Sequence, residues 1–133
     1  KTDLLPRFDQ CYSALIEDLS QRGLLDSTLV MLTSEMGRKP KIGDPRSGGT
    51  NGGGRDHWTA CQSVVLAGGG IQGGQTFGKT DEFAEYPVEK IMGPENIAHT
   101  VYHAMGIDDL TATDVTSRPF NILEKGQPLL ELF

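Results

Sequence analysis

Apolar positions in the first stretch of the chain recur with a helical period. Phe8, Cys11, Tyr12, Leu15, Ile16 and Leu19 stand at i, i+3, i+4, i+7, i+8 and i+11. This gathers them into one stripe of a helix over Pro6 to Arg22. Asp9, Gln10, Ser13, Glu17, Asp18, Gln21 and Arg22 take the polar side. Pro6 suits the first turn of a helix and Gly23 the position just past its end. After the short turn Leu25-Asp26-Ser27 the pattern changes. Thr28 to Thr33, TLVMLT, is apolar almost throughout and does not alternate. Such a run predicts a strand buried on both faces, as in a helix-covered sheet. A helix leading straight into such a strand is half of a βαβ unit.

Gln62 to Ala67, QSVVLA, predicts a second strand, stopped by Gly68-Gly69-Gly70. No GK[ST] follows those glycines, so they read as a strand terminator rather than a phosphate loop. Gly73-Gly74 and Gly78 punctuate a polar stretch that suggests a hairpin, and Thr80 to Met92 is acidic and irregular. A second helix is expected over Pro94 to Met105, with Ala98, Val101, Tyr102 and Met105 as its stripe and Gly106 ending it. His99 and His103 are spaced i, i+4 on that helix, as metal ligands can be, but no acidic motif accompanies them. They read as residues of a helix face. The remainder, Ile107 to Phe133, carries polar turns and a short apolar end, PLLELF. Neither a repeat nor a domain boundary interrupts the pattern. The fold class expected is α/β, a single domain portion over 1–133 belonging to a larger domain.

The net charge of −6 gives no support to nucleic-acid or membrane-surface binding. No apolar run is long enough for membrane insertion. Two cysteines form no disulfide framework, and Cys11, on the helix stripe, is expected to be a small core residue.

The candidate chemistry lies between the two strands, in SEMGRKPKIGDPRSGGTNGGGRDHW over Ser34 to Trp58. Long loops of this kind are usually functional or disordered. Ligands of open α/β sheets bind beyond the carboxyl ends of the strands, where Ser34, Glu35, Gly37 and Arg38 fall. Arg55, Asp56 and His57 come just before the second strand. If that strand runs antiparallel to the first, the glycine-rich loop brings RDH back to SEMGR, with glycines allowing close backbone approach. Carboxylate and neutral imidazole are both zinc ligands, and arginine grips phosphate or sulfate with two nitrogens. Taken singly, Glu35, His57 or the basic run Arg38, Lys39 and Lys41 is more simply a solvated surface feature. The combination is what points to a site.

TLVMLTSEMGR, GRDHW, SVVLAGGGIQGGQTFGKTD and PENIAHTVYHAMGI together resemble the C-terminal part of an uncharacterised bacterial sulfatase-related family of the alkaline phosphatase-like superfamily. The resemblance covers about Phe8 to Asp108, and SE-x-GR with GRDHW is its specific part. It implies a doubly wound α/β sandwich with an antiparallel edge strand. It also implies hydrolysis of sulfate or phosphate esters at a divalent ion, zinc first, with calcium, magnesium or manganese as alternatives. Glu35 stands where the superfamily places a metal-binding Asp, and His57 matches a metal-binding His. Arg38 and Arg55 are assigned to anion binding and Asp56 to the metal, as ligand or support. The implied partners are a small anionic ester or sulfated glycan and the N-terminal half of the same protein. The implied location is extracytoplasmic. The departure is that Asp-His-Gly has become Ser-Glu-Met-Gly, so one expected histidine is missing. No nucleophile is visible either, and the segment by itself is expected to be inactive. A binding module that kept the fold and lost the chemistry is the alternative.

Overall fold

A computed structural model of the chain describes residues 3–43 and 54–133. The glycine-rich middle of the candidate loop, 44–53, lies outside the described residues. Among them the fold is mixed α/β, with two α-helices and small two-stranded sheets. The first helix, α1, spans Leu4–Gln21 and the second, α2, Pro94–Ala104. The strands are β1 Val30–Leu32, β2 Gly37–Arg38, β3 His57–Trp58, β4 Val65–Ala67, β5 Lys79–Thr80, β6 Pro87–Glu89, β7 Thr111–Thr113 and β8 Pro119–Asn121. They pair as β1 with β4, β2 with β3, β5 with β6 and β7 with β8. The last three pairs are antiparallel.

The chain divides into two compact units: Lys1–Val30, Leu66–Gly74 and Gly93–Phe133 in one, Met31–Val65 and Gln75–Met92 in the other. In the first unit both helices end in the same way. The Gly23 N–H reaches the Ser20 carbonyl at 3.0 Å and the Leu24 N–H the Leu19 carbonyl at 2.8 Å. At the end of α2, the Gly106 and Ile107 N–H groups reach the His103 and Tyr102 carbonyls at 2.8 and 2.9 Å. These are Schellman closures, with Gly23 and Gly106 at φ +67° and +74°. β4 stops at Gly68, also at positive φ, where a Cβ would lie 2.3 Å from the Thr28 carbonyl oxygen. The glycine triplet therefore does end the strand, by letting the chain turn tightly against residues 25–28.

Burial departs from the sequence expectation. Among the described residues the buried ones are Leu110, Leu132 and Thr100. No residue of α1 is buried. Tyr12, Ile16 and Leu19 are half-buried, whereas Phe8, Cys11 and Leu15 are exposed. Cys11 is thus not a core residue. Met31, at the centre of β1, is 44% exposed, so β1 is not covered on both faces. Hydrophobic runs record which faces want cover, and within this chain those faces are only partly covered. The hairpins also lie where the pattern is weakest. β5 and β6 pair across the acidic stretch rather than over Gly73 to Gly78, because Asp81 builds the turn. Its two carboxylate oxygens accept the Glu85 and Tyr86 N–H groups at 2.8 and 3.1 Å. The β7–β8 hairpin turns on Asp114, whose Oδ1 accepts from the Thr116 and Arg118 backbones.

α2 organises its unit through Thr100, whose hydroxyl donates to the Asn96 carbonyl at 2.7 Å and accepts from the Leu129 N–H at 2.9 Å. Asn96 Nδ2 donates to the Gln127 carbonyl, so the helix holds the C-terminal segment by its backbone. Thr100→Val keeps the shape but leaves the half-buried Leu129 N–H without its acceptor. It should cost about 1–3 kcal/mol, read as a lower midpoint in denaturant, while Thr100→Ser should keep most of the stability.

Candidate functional site

Glu35, Arg38, Lys39, Asp56, His57 and Trp58 all belong to the second unit, and the pairing of β2 with β3 places them. Gly37 lies opposite Trp58 and Arg38 opposite His57. The ribbon continues past the strands, with the Lys39 N–H bonded to the Asp56 carbonyl at 2.9 Å and the Gly43 N–H to the Gly54 carbonyl at 3.1 Å. This antiparallel ribbon closes SEMGR against RDH, as the loop reading expects, within the loop itself rather than through the two flanking strands.

Glycine is required at position 37 by proximity. A Cβ there would lie 1.7 Å from the Cys61 carbonyl oxygen and 3.1 Å from that of Trp58. Both neighbours are backbone, so no side-chain rotation relieves the clash.

One result of the register is a contact between residues 22 apart in sequence. His57 Nε2 lies 2.7 Å from Glu35 Oε1. With Glu35 ionised, Nε2 carries the proton and donates. Both side chains are more than half exposed. The Glu35 carboxyl is held below its ordinary range, first by a hydrogen bond from its own backbone N–H. The His57 hydrogen bond comes next, with smaller help from the His57 and Arg38 charges against a small desolvation penalty.

Arg38 is exposed and its Nη1 makes a long contact, 3.5 Å, to the Arg55 carbonyl. The Arg55 side chain is exposed beside the ribbon. Asp56 is held by contacts within the ribbon. Its Oδ1 accepts the His57 backbone N–H at 2.9 Å, and its Oδ2 lies 3.3 Å from the Lys39 ammonium. The carboxylate expected to help a metal is engaged with the lysine. His99 and His103 have separate partners. His99 Nε2 bonds the Lys125 carbonyl, and His103 Nδ1 bonds Asp108 at 2.6 Å.

For a divalent ion, Glu35 and His57 supply one oxygen and one nitrogen donor side by side, both types that zinc takes. Among the described residues no group of three His, Cys, Asp or Glu side chains is placed to hold an ion. The two donor types suit such an ion, and Nε2 could ligate it only with the ring proton moved to Nδ1.

Sequence reasoning missed what surrounds Trp58. Its Nε1–H donates to the Glu85 carbonyl at 2.7 Å, and its ring meets Tyr86 edge-on at 5.7 Å. The available signal was the Asp81 turn. Asp followed by a short loop is a side-chain-to-backbone turn former, and here that turn delivers residues 83–86 to the indole.

Two outcomes follow from this geometry. Gly37→Ala should displace β2 from β3, seen as faster amide exchange at Lys39 and lost protection at Gly43. In His57→Ala the Glu35 carboxyl should titrate at higher pH than in the parent, followed by carboxyl NMR. Since the bond to its own N–H remains, the return to ordinary values should be incomplete. The sign for stability is that of a lowered carboxyl. The ionised Glu35 stabilises the ribbon above the ordinary carboxyl range. That contribution is lost as the pH falls through its lowered folded value.

No curated protein and no solved structure matches the chain. The family model described as "Protein of unknown function (DUF1501)" matches residues 1–133, the full length, and the chain belongs to that family.

Proposed function

We propose that this chain forms one side of the active site of a metal-dependent hydrolase of sulfate or phosphate esters. Glu35 and His57 hold the ion, zinc first, and Arg38 and Arg55 take the anionic ester. The nucleophile and the remaining ligands come from another part of the protein, in a doubly wound α/β sandwich of the sulfatase type. The observation that carries the reading is the 2.7 Å approach of His57 Nε2 to Glu35 Oε1, which brings two ligand-type atoms together beside an arginine. A bound divalent ion would offset the negative charge that builds on the ester oxygens. Arg38 and Arg55 orient the anionic group through paired N–H donors and add fixed positive charge beside it. Asp56 supports the site indirectly, by fixing the His57 backbone and neutralising Lys39. Uncovered apolar surface on α1 and at Met31 supports a complementary layer supplied by the rest of the domain.

The placement of Asp56 favours a second reading, in which the ribbon binds an anionic glycan or a protein partner without chemistry. Elemental analysis of the full-length protein, purified without chelator, separates the two. The hydrolase reading expects stoichiometric metal that falls in His57→Ala and Glu35→Ala, with turnover of p-nitrophenyl sulfate or phosphate falling by orders of magnitude. Absence of metal after reconstitution, with no turnover of either ester, would leave the binding module.

A further inference from the structure

A groove of about 480 Å³ runs beside β3, lined by Lys39, Pro40, Lys41, Trp58, Phe83 and Glu85. All of these belong to the second unit. Trp58 follows His57 on the strand, and successive strand residues point to opposite faces. The groove therefore opens away from the Glu35–His57 contact and is a separate feature of the ribbon.

Its apolar wall is held in place. The indole is fixed by its bond to the Glu85 carbonyl and by the edge of Tyr86. Phe83 is 66% exposed, yet it stands on a turn tied at both ends by the Asp81 carboxylate. The indole, fixed in this way, loses little freedom when a ligand settles against it. The polar groups are mixed. Lys41 brings an ammonium that only donates, and Glu85 a carboxylate that only accepts. Lys39 is engaged with Asp56, so the groove does not present concentrated positive charge. A strong anion finds little to favour it there. A sugar fits better, because a pyranose has an apolar C–H face for an aromatic wall and a rim of hydroxyls that both donate and accept.

We infer that this groove is a carbohydrate-binding subsite, with a pyranose ring against the Trp58–Phe83 wall and its hydroxyls bonded by Lys41 and Glu85. It stands independently of the reading of Glu35 and His57.

Trp58 is the sole tryptophan of the chain, so tryptophan emission and the indole Nε1–H NMR signal report on this groove alone. The test titrates the chain with cellohexaose, chitohexaose and mannohexaose, and in parallel with AMP and inorganic phosphate. A saturable change in both signals with at least one hexasaccharide is expected below millimolar concentration. Phe83→Ala and Lys41→Ala should each weaken it by about five- to tenfold, the scale of one aromatic or charged contact. Both side chains are exposed, so these variants keep the fold. Chelator treatment of the chain should leave the binding unchanged, so loss of the metal reading leaves this one standing. Three results would overturn it. The first is no saturable change with any hexasaccharide at millimolar concentration. The second is saturation by AMP or phosphate with the sugars silent, and the third is sugar binding indifferent to both variants.

Discussion

Close contact between two backbones governs the second unit. The Cys61 carbonyl sits where a Cβ of residue 37 would be, so β2 can lie where it does only as glycine. From that seat the register follows, with Gly37 opposite Trp58 and Arg38 opposite His57. The register then divides the polar residues. Glu35 meets His57, while Asp56 meets Lys39. Because strand side chains alternate, a slip of one residue would exchange the faces. The imidazole would then point into the groove and the indole out of it.

That division also separates the two proposed kinds of recognition. The contact of Glu35 with His57 is exposed and ionic in character, and its carboxyl is kept ionised chiefly by its own backbone. The groove around Trp58 is walled by rings and carries opposite charges in balance. Both proposals can stand on one short ribbon because each uses a different face and neither draws on a deep core.

The helices were legible in the sequence because their signals are local. A 3.6-residue stripe and a glycine at the end sufficed for Phe8 to Leu19 with Gly23, and for Ala98 to Met105 with Gly106. The strand TLVMLT was legible as a strand, but its burial was not, since cover depends on what packs against Met31 rather than on Met31 itself. The β5–β6 hairpin escaped notice because its strands are two and three residues long, too short for any period. Its turn is made by the Asp81 side chain, whereas the eye goes to the glycines at 73, 74 and 78. In the site, Glu35 and His57 were legible from their places at the two ends of one loop. The partner of Asp56 was not legible, because adjacency to His57 says nothing of which face its carboxylate takes, and only the register brings it to Lys39. Trp58 and Phe83 lie 25 positions apart, and only the folded hairpin brings them to one groove.

The uncovered stripe of α1 bears on the life of the chain in the cell. The helix holds its form through its own turns and through pairs such as Arg7 with Asp3 and Arg22 with Asp18, while Phe8, Cys11 and Leu15 face outward. Chaperones and proteases recognise exposed apolar surface of this kind as the mark of an unfinished protein. A chain whose α1 stripe stays uncovered is open to that surveillance, and a chain whose stripe is covered is not.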